Sequence, residues 1–183
     1  MKSYVDRVMN SIKFVSDETL SLSLELLTEA FNRRTQIFII GNGGSAATAS
    51  HFATDLNKIK NVNGLPGRAI SLCDNSSLIT AYANDISFGA IFKEQLKNLA
   101  NPKDILIAIS ASGKSKNIIE AINYAKRNNI YSVGLVGFDA GDMGICDLVL
   151  HSKSTLGDYG PTEDTHSIIC HFLAESLSLR LNQ

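Results

Sequence analysis

Two short turns carry residue types that can cradle a phosphate: Gly41-Asn42-Gly43-Gly44-Ser45 and Ser110-Ala111-Ser112-Gly113-Lys114-Ser115. Their glycines let backbone N–H groups approach a ligand closely, a following helix would present its positive end, and serine hydroxyls add donors. A phosphorylated small molecule is the ligand such turns suit. Other residues could move protons. His51 and Asp55 stand four apart, so on a helix they share a face beside the first turn, and Glu163, His166 and His171 fall in one later segment. Aldose–ketose isomerisation needs a base for the proton alpha to a carbonyl, an acid for the oxygen, and something to stabilise the oxyanion that develops. A carboxylate and an imidazole aimed near a bound phosphate meet that need, although their spacing alone also fits a surface pair.

The surrounding sequence shows which elements would position these groups. Two amphipathic helical segments come first, about Tyr4–Phe14 and Ser16–Arg34, the second opened by Ser16 with Thr19 three residues on. Leucines on more than one face of the second suit a helix packed between subunits or one buried in its own domain. From Gln36 onward, strand patterns near 36–40, 68–72, 104–109, 131–136 and 147–151 alternate with helix patterns near 45–58, 75–83, 87–99, 115–128 and 162–181. The alternation predicts an α/β fold, a doubly wound five-stranded parallel sheet with N-terminal helices. The expected organisation is one domain over 1–183, with a helical segment at 1–34 and an α/β sandwich at 35–183. In such sheets ligands bind beyond the carboxyl ends of the strands near the topological switch point, and both turns fall at carboxyl ends. The stretch Ser152–Gly160 reads as a long loop.

Two rival motifs fit less well. Gly41-x-Gly43-x-x-Ala46 matches a dinucleotide fingerprint, but the nearest acidic candidate, Asp74, lies too far on, and the second turn would have no task. Gly113-Lys114-Ser115 imitates the tail of a P-loop whose first glycine would fall on Ala108, inside a strand. Composition narrows the classes further. Seventeen basic and eighteen acidic residues leave a net charge of −1, with 44% apolar and 19% charged residues, so nucleic acid and anionic membrane are not expected partners. No apolar run approaches a membrane span and Met1–Asn10 lacks a signal-peptide core, so the chain reads as cytoplasmic. Cys73, Cys146 and Cys170 are odd in number and far apart, which argues against disulfides or a cysteine zinc cluster.

The blocks Gly41-Asn42-Gly43-Gly44-Ser45-Ala46-Ala47, His51-Phe52-Ala53, Asn84-Asp85, Ile109 through Ser115, and Glu163-Asp164-x-His166 with His171, in this order, resemble the sugar isomerase (SIS) domain family. Within it they resemble the phosphoheptose isomerases. The resemblance covers nearly the whole chain. It implies the flavodoxin-like SIS sandwich, a homo-oligomer, usually a tetramer with sites at subunit interfaces, and conversion of sedoheptulose 7-phosphate to D-glycero-D-manno-heptose 7-phosphate for bacterial surface heptose. It also implies that Ser110, Ser112 and Ser115, with Ala111 between them, hold the phosphate. Asn42, Gly43, Gly44 and Ser45 would bind substrate at the first turn, Asp85 would contact sugar hydroxyls, and Glu163 would lie at the substrate. His51 and His171 match metal-binding histidines, often occupied by zinc, and His171 also matches a catalytic acid/base.

The chain departs from that family at three positions. Asp55 stands where a catalytic glutamate is usual, Glu163 where a glutamine ligand is usual, and Ile59, flanked by Lys58 and Lys60, where an arginine is usual. Helical geometry constrains the rest. His166 and His171 point about 140° apart and should not share an ion, so one of them is structural. Glu163 and His171 differ by about 80° in direction but by about 12 Å along the axis, so both reach one metal only if Glu163 lies at or before the helix start, where Pro161 would suit. His51, Asp55, Glu163 and His171 together would accept zinc or another divalent metal. Alternatives are an isomerase for another sugar phosphate, or a non-catalytic SIS protein that senses sugar phosphate or binds a partner such as a replication initiator.

Overall fold

The computed structural model describes residues 1–182. Helices α1 (Lys2–Ile12) and α2 (Asp17–Arg33) precede five parallel strands: β1 (Ile37–Ile40), β2 (Ala69–Ser71), β3 (Ile105–Ser110), β4 (Tyr131–Val136) and β5 (Leu148–His151). Between and after them run α3 (Gly44–Lys58), α4 (Ser76–Asp85), α5 (Ile91–Leu99), α6 (Lys116–Arg127) and α7 (Tyr159–Leu181). The sheet order is β2-β1-β3-β4-β5. The central strands are apolar at successive positions because both faces of the sheet are covered. Ile37 and Ile39 join one core with Leu27, Phe31, Phe52 and Leu173, whereas Phe38 and Ile40 join the other with Phe92, Leu96 and Ile122. Helices α2, α3 and α7 thus cover one face, and α5 and α6 the other.

The doubly wound parallel sheet expected from the sequence is the one observed. Ser16 caps α2 as expected, its hydroxyl accepting from the Thr19 N–H at 3.3 Å. Leu27 of α2 is buried, whereas Leu22 is exposed, so this helix buries one face within the chain. Two boundaries differ. The expected helix at 87–99 begins as a separate 3₁₀ turn, Phe88–Ala90, before α5. The last helix begins at Tyr159, not near 162. Pro161 is its third residue, where a backbone N–H has no intrahelical acceptor to lose, so the ring is tolerated inside the first turn.

That early start carries His166 into the core. Its side chain is fully buried and neither ring nitrogen has a hydrogen-bond partner. Burial foremost pushes its pKa down to about 4, with nearby His151 adding to the shift and the Val136 carbonyl opposing it from outside hydrogen-bond geometry. The ring therefore stays neutral when folded and charges more readily when unfolded, so stability is full above about pH 6.5 and falls as the pH drops toward 4. A pKa depressed from 6.5 to about 4 amounts to roughly 3 kcal/mol lost by the acid end of that window. Denaturant unfolding at a series of pH values should show this slope, and His166→Gln should flatten it. An unchanged slope in that variant would assign the acid sensitivity elsewhere.

Candidate functional site

β1 and β3 are neighbours, yet the chain leaves β1 for α3 on one face and β3 for α6 on the other, so the crevice between their carboxyl ends is the switch point of the sheet. Both Ser/Gly turns lie there. In the first, Gly41 has no room for a side chain, because a Cβ would strike the backbone of Ser45 and Ala46, and Gly43 adopts φ 55°. Ser45 is buried behind it.

In the second turn, the Ser110 hydroxyl accepts from the Gly113 N–H at 3.1 Å and the Ser112 hydroxyl from the Lys114 N–H at 3.3 Å. Ser115 is the N-cap of α6 without a side-chain cap bond. Among the described residues no protein acceptor meets the N–H groups of Ser115, Lys116 or Asn117. These are the donors that a helix start offers to an anion. The segment 137–142 braces the turn. Asp142 N–H donates to the Gly113 carbonyl at 2.9 Å, Lys114 Nζ meets Asp139 at 3.2 Å, and a Cβ on Gly113 (φ 65°) would collide with the Ala140 carbonyl. The bond from Lys114 holds the exposed Asp139 carboxyl below its ordinary pKa.

The sequence reading missed the residue that joins the two turns. Asn42 and Asn117 exchange amide hydrogen bonds in both directions, at 2.9 and 2.8 Å, across the crevice. Asn117 is buried. Its only sequence signal is that it closes the run Ser-Lys-Asn after the second turn. Truncating it strands the Asn42 amide, a cost of about 1–3 kcal/mol. Asn117→Ala should therefore lower the unfolding midpoint and raise KM for a sugar phosphate more than it lowers kcat. Wild-type stability and KM in that variant would show the clasp to be idle.

Helix α3 leads from the first turn alongside α7, and the two run in the same direction with matched contacts. The Glu163 carboxyl rests against Gly44, Thr48 and Ser167 hydroxyls meet at 3.3 Å, and His51 and His171 Nε2 atoms meet at 3.5 Å. Asp55 completes the lower end: its Oδ2 lies 3.4 Å from His51 Nε2 and 3.9 Å from His171 Nε2. Three potential ligand atoms thus converge within reach of a single cation. Ligand atoms placed tetrahedrally about 2.0–2.2 Å from a zinc ion stand roughly 3.4 Å apart, so His51, Asp55 and His171 fit a three-ligand site with a further position open. The notch they line with Thr48, Phe52, Ser167 and Cys170 has about 10 Å³ of space, about one atom-sized guest. Buried Cys170 lines the notch but lies outside the His51, Asp55 and His171 group, and burial foremost, then the Asp55 charge, push its thiol pKa up.

Glu163 lies outside this metal-type group, contrary to the four-ligand set expected. The reason is the early start of α7: Glu163 is a full turn inside the helix and therefore some 12 Å along the axis from His171. His166 and His171 diverge as expected, one in the core and one at the surface. Asp85 ends α4, exposed, accepting from the Asn84 amide at 2.8 Å and from neither turn. Asp74, which a dinucleotide reading would need, accepts from Ser50 instead. Ile59 packs against the core and leaves the exposed Lys58 and Lys60 as the nearest cations in sequence.

The SIS domain family profile matches residues 2–137. Phosphoheptose isomerase 1 of Campylobacter jejuni is 39% identical over 154 residues, covering 82% of this chain and 81% of that protein. A probable phosphoheptose isomerase of Thermoplasma acidophilum is 36% identical over 148 residues, covering 80% of each. The solved phosphoheptose isomerase of Neisseria gonorrhoeae superimposes with a TM-score of 0.87 at 26% identity, covering 97% of this chain and 94% of that one.

Proposed function

Because the chain belongs to the SIS domain family, we propose that its two-turn crevice and His–Asp–His group serve one reaction, that of a phosphoheptose isomerase. The substrate is sedoheptulose 7-phosphate and the product D-glycero-D-manno-heptose 7-phosphate. The observation that carries this reading is the pairing of an uncapped Ser/Gly turn at the switch point with convergent imidazoles and a carboxylate on the helices that lead away from it. Relatives 36–39% identical over four fifths of the chain support the same reading.

In this reading the N–H groups at the start of α6, with the Ser110, Ser112 and Ser115 hydroxyls, bind the phosphate. The Asn42–Asn117 clasp fixes the first turn against the second, and Asp85 contacts sugar hydroxyls. Asp55 removes the proton from C1 of the open-chain ketose while His171 protonates O2, giving a neutral enediol. Return of a proton to C2 and loss of the O1 proton complete the aldose, with no external oxidant or reductant. His51, Asp55 and His171 would hold zinc or another divalent ion, which when bound supplies positive charge to a developing oxyanion. A purely sensory protein would need the turn alone and would have no use for this group.

The protein works as a cytoplasmic homo-oligomer, a tetramer in this reading. Ile168, Phe172 and Leu179 on α7, with Phe14, stay exposed in a single chain, and His51 and His171 remain more than half exposed, as expected of a surface that a second copy covers. Incubating the purified protein with sedoheptulose 7-phosphate in deuterated water should yield an aldose carrying deuterium at C2. Absence of both product and exchange would remove the isomerase reading.

A further inference from the structure

Two lysines flank the start of α6, Lys114 and Lys116, where the positive end of the helix makes a cation locally unfavourable. No acidic residue lies in the first turn to relieve them. The two are not equivalent. Lys114 is committed, its Nζ held 3.2 Å from Asp139 in the segment that braces the turn. Lys116 has no such tie, for among the described residues no carboxylate stands within ion-pairing distance of its ammonium. Its stem is nevertheless held. Cδ and Cε lie across Gly89, each 3.4 Å from where a Cβ on that glycine would stand, so the side chain runs from the second turn to the 3₁₀ turn that follows Asp85. The Lys116 N–H is also one of the three free donors at this helix start, which puts an anion bound there within one side chain's length of its ammonium. Methylenes already laid on Gly89 lose less freedom when the ammonium closes on a ligand.

We propose that Lys116 reads the second negative charge of the substrate's phosphate and so makes the site selective for a phosphate monoester over a singly charged ester. The inference rests on the reading that places the phosphate at the second turn, and it deepens that reading by assigning a specificity-determining residue. Hydroxyls and backbone N–H groups meet a monoanion and a dianion with the same geometry, whereas the attraction of a fixed cation doubles with the second charge. Lys114 takes no part, since reaching the ligand would break its pair with Asp139. A sulfate ester or a phosphodiester fills the turn equally well but forfeits the extra attraction.

The test uses two probes, methyl phosphate, doubly charged at about pH 8, and methyl sulfate, singly charged. Calorimetry at low salt compares wild type with Lys116→Gln, Lys116→Arg, Lys114→Gln and Ser112→Ala/Ser115→Ala. Wild type should prefer methyl phosphate. Lys116→Gln should weaken methyl phosphate by about tenfold and methyl sulfate by only about threefold, so that the preference shrinks, while Lys116→Arg and Lys114→Gln should keep it. With sedoheptulose 7-phosphate, Lys116→Gln should raise KM by about tenfold and leave kcat within about twofold, as expected of binding shared by ground state and transition state. An unchanged preference in Lys116→Gln, an equal loss of preference in Lys114→Gln, or no preference in wild type overturns the proposal. Undiminished binding of both probes by the serine variant instead overturns the placement of the phosphate on the second turn, so the two failures are distinguishable. Lys116 is exposed, and matching unfolding curves for Lys116→Gln and Lys116→Arg separate a lost charge from a lost fold.

Discussion

Asp55→Asn should lower turnover by about 10²- to 10⁴-fold, the range typical of a lost general base. The geometry is compatible with two separable tasks for this carboxylate. Oδ2 faces both imidazoles, at 3.4 and 3.9 Å, leaving Oδ1 free to meet a carbon-bound proton. If Asp55 acts as the base, solvent deuterium exchange into the substrate should vanish in the variant while bound metal largely remains on His51 and His171. If it acts only as a ligand, metal content should fall in step with activity and added metal should restore much of the rate. Asp55→Glu supplies the family's longer side chain, and a rate near wild type would show that the site tolerates an extra methylene. A wild-type rate in Asp55→Asn without added metal would defeat both roles and favour a sensor.

Removing the phosphate cradle should cost nearly as much in affinity. Each hydrogen bond to a charged phosphate contributes roughly 1.5–3 kcal/mol, so Ser112→Ala/Ser115→Ala should weaken sugar phosphate binding by at least tenfold, and by about 10⁴-fold if both bonds are lost at full strength. The fold should survive. Ser112 and Ser115 are only partly buried, and among the described residues the one hydrogen bond their side chains make is that from the Lys114 N–H to Ser112. Titration with sedoheptulose 7-phosphate, beside a thermal unfolding curve, separates the two effects. Equal affinity in both proteins would place the phosphate elsewhere.

The sheet was legible because its strands are short apolar runs bounded by Gly, Ser and Asn turns, and all five appear where expected. The two turns were legible for the same reason, being local. What the sequence concealed was pairing across distance. Nothing in the spacing of Asn42 and Asn117, 75 residues apart, announces a reciprocal amide pair. Similarly, Asp139 and Asp142 give no local sign of bracing Lys114 and Gly113. A helix start marked by Pro161 would bring Glu163 into the ligand set, but a proline at the third position leaves room for the helix to begin two residues earlier, which carries Glu163 away from His171. The opposite facing of His166 and His171 was recoverable from the helical period alone.

The in-register run of α3 and α7 also sets how the gene can tolerate change in length. Gly44–Glu163, Thr48–Ser167 and His51–His171 make a ruler with steps of three or four residues. One residue inserted between Ser167 and His171 would swing His171 by about 100° and advance it by 1.5 Å, while Glu163 stayed in place. The same insertion in the loop 152–158 would be absorbed before the ruler begins. Length variation compatible with function should therefore collect ahead of Tyr159 and be absent from 163–171.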